Sequence, residues 1–275
     1  MLFDLTLVWR YKNLTDLKQR SDKEQDMKKK PGLFLGTSGW NYKAWKNDFY
    51  AGVKQKNWLQ HYAGQFNALE INATFYRLQK ESTLQGWLEQ TPQDFVFAVK
   101  GSRYVTHVKK LKDPQESVLL QKENLTVLQP RLGAVLWQMP AALPKDLERL
   151  QEFSEALQNW PGTSHVLEFR HSTWFENEVH DLLLKHGLVP CISDAADWPR
   201  WDAVGEKMAY IRLHGDQHTY HSWYSEQQLH SWAGWIKEHI EQGRVVHVYF
   251  DNTDGLAAPN NAKRLQQILS NQFAG

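Results

Sequence analysis

A chain of 275 residues that is 41% hydrophobic and 23% charged can bury a sizeable core, which excludes a disordered protein and leaves one large domain or two small ones. A formal net charge of +1 provides no general field for nucleic acid or an anionic membrane, so any anion selectivity has to be local. The single cysteine excludes an internal disulfide framework and fits a reducing, cytoplasmic compartment, and no run approaches the ~20 apolar residues of a membrane-spanning helix.

In chain order, residues 1–9 are a short apolar run interrupted by Asp4 with no small-residue cleavage site behind it, so they are not a signal peptide. Residues 18–30 are dense in charge without apolar periodicity. Residues 1–30 therefore read as a disordered or non-native leader, with Met27 the expected natural start, residues 1–26 dispensable for stability, and an appended amphipathic helix as the alternative. Residues 31–275 form the domain. A strand over 33–40 runs into a turn punctuated by Gly36 and Gly39, which permit close backbone approach or positive φ. A helix over 57–66 carries Trp58, Tyr62 and Phe66 at i, i+4 spacing. The strand over 68–76 alternates, with Leu69, Ile71, Ala73 and Phe75 on one face and Glu70, Asn72, Thr74 and Tyr76 on the other.

A helix over 83–90 precedes a third strand over 95–100 that ends on Lys100. A long segment over 103–114 containing His107 leads to a helix over 115–128 and a fourth strand over 132–140, closed by Gln138. After a helix over 146–160, the fifth strand puts Val166, Glu168 and Arg170 on one face, and Thr173 and Glu176 have capping-box spacing for a helix over 176–186. The sixth strand, 188–194, holds Cys191 in apolar surroundings expected to keep the thiol inert, and ends on Asp194. A loop rich in Trp and Pro then replaces a helix. The seventh strand, 208–215, sets Tyr210, Arg212 and His214 on one face. A helix over 225–242 capped by Ser225, an eighth strand over 245–252 and a closing helix over 259–269 complete the chain.

Strands alternating with helices imply parallel βαβ units, and eight of them in ~245 residues fit an α/β fold of one domain, a (β/α)8 TIM-type barrel. A doubly wound open sheet is the rival, but it needs strands apolar on both faces, whereas the second, fifth and seventh carry charges. In a barrel the lumen-facing groups at the carboxyl ends are Glu70, Asn72, Lys100, Gln138, Glu168, Arg170, Asp194, Arg212, His214 and Asp251, at the mouth where such folds place their active sites. Lys100, Arg170 and Arg212 can anchor a carboxylate or phosphate. Strand spacing places Glu168 beside Arg170, Arg212 or both, which keeps it ionised. No cofactor is expected, and a catalytic metal is disfavoured because the cations would pair with the same carboxylates. Of thirteen tryptophans, Trp40, Trp45, Trp174, Trp198, Trp201 and Trp223 follow strands, where rings could stack on a sugar or base or simply plug the mouth.

The motifs Gly36-Thr-Ser-Gly-Trp40 with Phe49-Tyr50, Glu70-Ile-Asn-Ala-Thr-Phe-Tyr76, Phe97-Ala-Val-Lys100, Leu167-Glu-Phe-Arg-His171 with Trp174, Tyr210-Ile-Arg-Leu-His-Gly215 and Tyr249-Phe-Asp-Asn252 resemble the YecE-like family, also called domain of unknown function 72. The resemblance runs from residue 33 to about 269 and implies a TIM barrel and a candidate site, but no reaction. The expected function is an enzyme, a hydrolase, lyase or isomerase, acting on a small anionic, phosphorylated or sugar-containing substrate. Glu168, Lys100, His214 and Asp194 are its catalytic candidates. Arg170, Arg212, Glu70, Asn72, Trp40, Tyr76, Gln138, Trp174 and Asp251 are its binding candidates. The alternative is a non-catalytic module that holds nucleic acid or a protein with aromatic loops; near-neutral charge counts against nucleic acid.

Overall fold

The computed structural model describes residues 32–274, so the expectations for the leader lie outside the described residues. Eight strands, β1 (Leu33–Thr37), β2 (Ala68–Ile71), β3 (Val96–Lys100), β4 (Leu132–Gln138), β5 (Ser164–Glu168), β6 (Val189–Ala195), β7 (Met208–Gly215) and β8 (Val245–Phe250), pair in parallel in the order β1-β8-β7-β6-β5-β4-β3-β2. The helices are α1 (Trp58–Gln65), the single turn α2 (Ala73–Tyr76), α3 (Glu81–Glu89), α4 (Gln115–Asn124), α5 (Leu147–Leu157), α6 (Asn177–Lys185), α7 (Glu226–Glu241) and α8 (Ala257–Ala274). Among the described residues the β6–β7 connection has no helix, as its Trp- and Pro-rich sequence implies. Trp201 and Val204 pack there instead, Trp201 stacking on Phe175 with ring centroids 5.5 Å apart.

The edge strands β1 and β2 meet through one backbone bridge, Ser38 to Glu70. Side chains do the rest of the joining. Asn67 accepts from Leu35 N (2.9 Å) and donates to Leu33 O (2.8 Å), while the Tyr62 hydroxyl accepts from Thr37 N (2.7 Å) and donates to Ala68 O (3.1 Å). Gly36 is required at this seam, because a Cβ there would lie 2.0 Å from Ala68 O. Two apolar clusters follow from strand alternation. One lies between the strands and helices; the other fills the lumen with Ala68, Ala98, Ala134, Leu136, Val166 and Tyr210 among its members. Cys191 belongs to the lumen cluster, and burial pushes its thiol well up.

Three expectations about elements need correcting. The second strand stops at Ile71, because Asn72 has helical dihedrals and Thr74 Oγ1 ties the following turn to Ile71 O (3.2 Å) and Lys100 O (2.7 Å). The long helix after residue 115 ends at Asn124 and is followed by a 3-10 stretch, Thr126–Arg131, containing Pro130, which has no N–H to continue the ladder. No Thr173–Glu176 capping box forms. His171 caps a 3-10 turn, Ser172–Trp174, and α6 starts one residue after Glu176 without a side-chain cap. The capping box at α7 is present, with Ser225 and Gln228 as its partners.

Candidate functional site

At the carboxyl ends of the strands the lumen changes from apolar to charged, and Arg212 on β7 is the centre of that layer. The side chain is 1% exposed. Its Nε donates to both Glu70 oxygens (3.0 Å each). Nη1 donates to Glu168 Oε2 (2.8 Å) and His214 Nε2 (3.3 Å). Nη2 donates to Glu70 Oε1 (2.7 Å), Asp251 Oδ2 (2.9 Å) and Ser38 Oγ (3.1 Å). Strands β2, β5 and β8 thus each bring a carboxylate to one guanidinium, whose planar fork can serve all three. Glu70 is further bound by the Tyr210 hydroxyl (2.7 Å) and by Ser38 Oγ.

Glu168 is fully buried, and its Oε1 also accepts from Arg170 Nε (2.7 Å) and Gln138 Nε2 (3.1 Å). Burial alone would raise its pKa, but Arg170 and Arg212 overturn that and hold the carboxyl well below the ordinary range. Asp251 is likewise lowered by Arg212 and His214 against the effect of burial. Burial and then the Arg212 charge push His214 down, leaving it neutral. Its Nε2 faces the Arg212 donor and must accept, so the proton sits on Nδ1. Nδ1 lies 2.9 Å from Asp251 Oδ2 at an angle unfavourable for a hydrogen bond, an electrostatic contact rather than a full bond. Burial and Arg212 push Lys100 down to about 8.

The rim of the site is built by loops. Arg170 stacks its guanidinium 3.3 Å from the Trp198 ring centroid, and Trp198 also packs edge-on against His214 (4.5 Å) and Tyr220 (5.8 Å). Lys100 Nζ sits 4.3 Å over the Phe75 ring, whose centroid is 5.1 Å from that of His107. His107 is lowered by burial and by the charges of Lys100, Arg103 and Arg170.

The structure therefore gathers Glu70, Glu168, Arg212, His214 and Asp251 into one buried network, with Gln138 and Arg170 bonded to Glu168 and Lys100 beside it. Glu168 lies against both expected arginines. Asn72 Nδ2 donates to Ser38 Oγ (2.8 Å), while its buried Oδ1 has no partner among the described residues. Other residues fall elsewhere. Asp194 leaves the lumen because the inward positions of β6 are Cys191 and Ser193, opposite Tyr210 and Arg212. It bonds instead to Tyr224 (2.9 Å) and Arg200 (3.2 Å). Trp174 is fully buried outside the barrel, stacked on Phe169 at 4.6 Å, and Trp45 is equally buried. Trp40 packs edge-on against Trp87 (5.7 Å), and Tyr76, beyond the shortened β2, is 70% exposed. Arg212, expected as an anion anchor, spends all five N–H donors inside the protein.

Sequence reasoning left Ser38, His107 and Tyr220 unassigned and named Trp198 only as one of six rings that could stack on a ligand or plug the mouth, whereas it stacks on Arg170. Ser38 could have been found from the parity of its strand; His107 lies in a short π-helix, Tyr104–Val108, and Tyr220 in a turn, and neither segment carries a periodic signal. The carboxylates close on a guanidinium rather than on a cation cavity. Among the described residues no group of three or more His, Cys, Asp or Glu could hold a metal ion.

Fold and site together define a TIM-type barrel with a buried, internally hydrogen-bonded charge layer beneath a polar mouth. The family described as "Protein of unknown function DUF72" matches residues 34–275, and the chain belongs to it. The UPF0759 protein YunF of Bacillus subtilis (strain 168) is 24% identical, over 88% of this chain and 96% of that protein. The UPF0759 protein YecE of Escherichia coli (strain K12) is 30% identical over 57% of this chain and 55% of its own length. A DUF72 family protein from Thermotoga maritima MSB8 superposes with a TM-score of 0.77 at 26% identity, covering 87% of this chain and 99% of that one. One from Enterococcus faecalis V583 gives 0.75 at 17% identity, covering 86% and 95%, and so bears on the fold alone. Among the described residues no helix is long and apolar enough to cross a membrane.

Proposed function

We propose that the barrel is an enzyme acting on a small anionic, phosphorylated or sugar-containing molecule bound at its carboxyl mouth, in the cytoplasm. The observation that carries this reading is the state of Arg170. It is bonded to Glu168 through Nε, which leaves its Nη groups for Tyr220 and a ligand, and it is stacked on Trp198 at the rim. Beneath it Glu70, Glu168 and Asp251 are each already bonded to Arg212, and Glu168 to Arg170 as well, so the cationic groups nearest the opening are Arg170 and Lys100. Glu168 is pinned as an ion and suits positioning better than acid catalysis; His107 and Lys100 are the more accessible groups for proton transfer. A hydrolase, lyase or isomerase is compatible with such a set. A thermal-shift screen against sugar phosphates and nucleotide fragments tests the reading. A ligand at a hundred times its Kd should stabilise the protein by about 2.7 kcal/mol. Arg170→Ala should remove that shift, and a shift that survives the substitution would place binding elsewhere.

A second reading has one observation in its favour. Leu78, Tyr104 and Leu120 are exposed around a cavity of about 290 Å³, lined also by Val105 and Gln121. Such a surface suits a non-catalytic binding module. Leu120→Glu would abolish partner binding there while leaving any Arg170-dependent ligand shift intact.

A further inference from the structure

Of the charged side chains on the strand ends, Glu70, Glu168, Asp194, Arg212 and Asp251 each have an opposite charge at 3.2 Å or less. Lys100 is the exception. Among the described residues no carboxylate lies within 4.0 Å of its Nζ, which rests instead on the Phe75 ring. Its neighbours explain why: Glu70, Glu168 and Asp251 are already held by Arg212, and Glu168 by Arg170 as well. A lysine whose neighbouring carboxylates are held by arginines, resting on a phenyl ring and still open to the mouth, is placed as a nucleophile rather than as an ion-pair partner. The neutral His107 flanks the same phenyl ring and feels both Lys100 and Arg170.

We propose that Lys100 forms an imine with an aldehyde or ketone whose phosphate or carboxylate is held by Arg170. This deepens, and rests on, the reading of the mouth as a small-molecule site. The neutral amine attacks the carbonyl carbon, forming the C–N bond as the π pair moves to oxygen. A proton passes from nitrogen to that oxygen. The resulting hydroxyl then leaves as water, protonated as the nitrogen gives up its second hydrogen and C=N forms. No oxidant or reductant is needed, since amine plus carbonyl gives imine plus water. Burial supports the step by lowering Lys100 to about 8, so roughly a tenth of it is neutral at pH 7, against roughly three in ten thousand for an ordinary lysine.

The test is reductive trapping. The full chain is incubated at pH 7 with glyceraldehyde 3-phosphate and sodium cyanoborohydride, and labelled lysines are read by peptide mass spectrometry. Lys100 should label on the order of a hundredfold faster than exposed lysines, with a rate that levels off above about pH 8. Lys100→Met, which leaves no carboxylate unpaired, should remove the fast label. Arg170→Ala should erase the preference for this probe over unphosphorylated glyceraldehyde while keeping the imine. Labelling of Lys100 no faster than exposed lysines overturns the imine. If Arg170-dependent thermal shifts persist in that case, the ligand site stands without it; if they too are absent, both readings fall.

Discussion

Glu168 and Arg212 show what one buried pair contributes when neither member reaches solvent. Replacing Glu168 by Gln leaves Arg170 and Arg212 short of a charge, and the expected cost is about 3–5 kcal/mol, measured by chemical denaturation. The same carboxyl predicts an acid limit. Its folded pKa, like that of Asp251, is depressed, so its stabilisation is complete above the unfolded value of about 4 and fades as pH falls below it toward the folded value. Wild type should therefore lose stability steeply below about pH 4.5. Glu168→Gln should show a shallower slope there, and equal slopes would refute the assignment. Lys100 has the opposite sign. Its folded pKa is about 8 against 10.5 for the free side chain, so folding is penalised while the amine is charged and the penalty is relieved as pH rises from 8 to 10.5. Lys100→Met should accordingly gain about 1–3 kcal/mol at pH 7, with the gain vanishing above pH 10.

At the scale of elements, the weakest joint is the β1–β2 seam. Tyr62→Phe removes the acceptor of Thr37 N and the donor to Ala68 O, and the expected loss is about 1–3 kcal/mol. Hydrogen exchange should quicken at Thr37 rather than throughout the molecule; uniform acceleration would mean that the seam is no weaker than its neighbours. The same scale separates what the sequence could tell from what it could not. β7 was legible at both ends because its alternation of Tyr210, Arg212 and His214 against Ile211 and Leu213 runs unbroken between polar turns. The overrun of β2 to residue 76 arose because a helical turn happened to continue the same alternation. Asp194 was misplaced because β6 is apolar on both faces, so parity had nothing to register against. The lumen charges of the second, fifth and seventh strands could be read from period two alone. Their convergence on Arg212 could not, since it depends on the closure of the sheet between residues as distant as Glu70 and Asp251.

Across the whole molecule, burial decides how the protein responds to salt. The Arg212 network is shielded from mobile ions, so raising ionic strength from 0.05 to 0.5 M should barely move the Tm, whereas anion binding at Arg170 should weaken severalfold. A large salt effect on Tm without ligand would mean that the network is open to solvent. The order of the strands also has a consequence in time. β1 takes its ladder from β8, with Leu33 opposite Val246 and Thr37 opposite Phe250, so among the described strands the first to leave the ribosome waits for the last. At 5–20 residues per second the interval is roughly 10–40 s. Until then β1 has the Asn67 and Tyr62 fastenings and the single Ser38–Glu70 bridge to β2, and its other edge is unpaired. Nascent chains arrested before β8 should therefore be cleaved by protease near β1 and should recruit chaperones, and emergence of β8 is the event that ends this exposure.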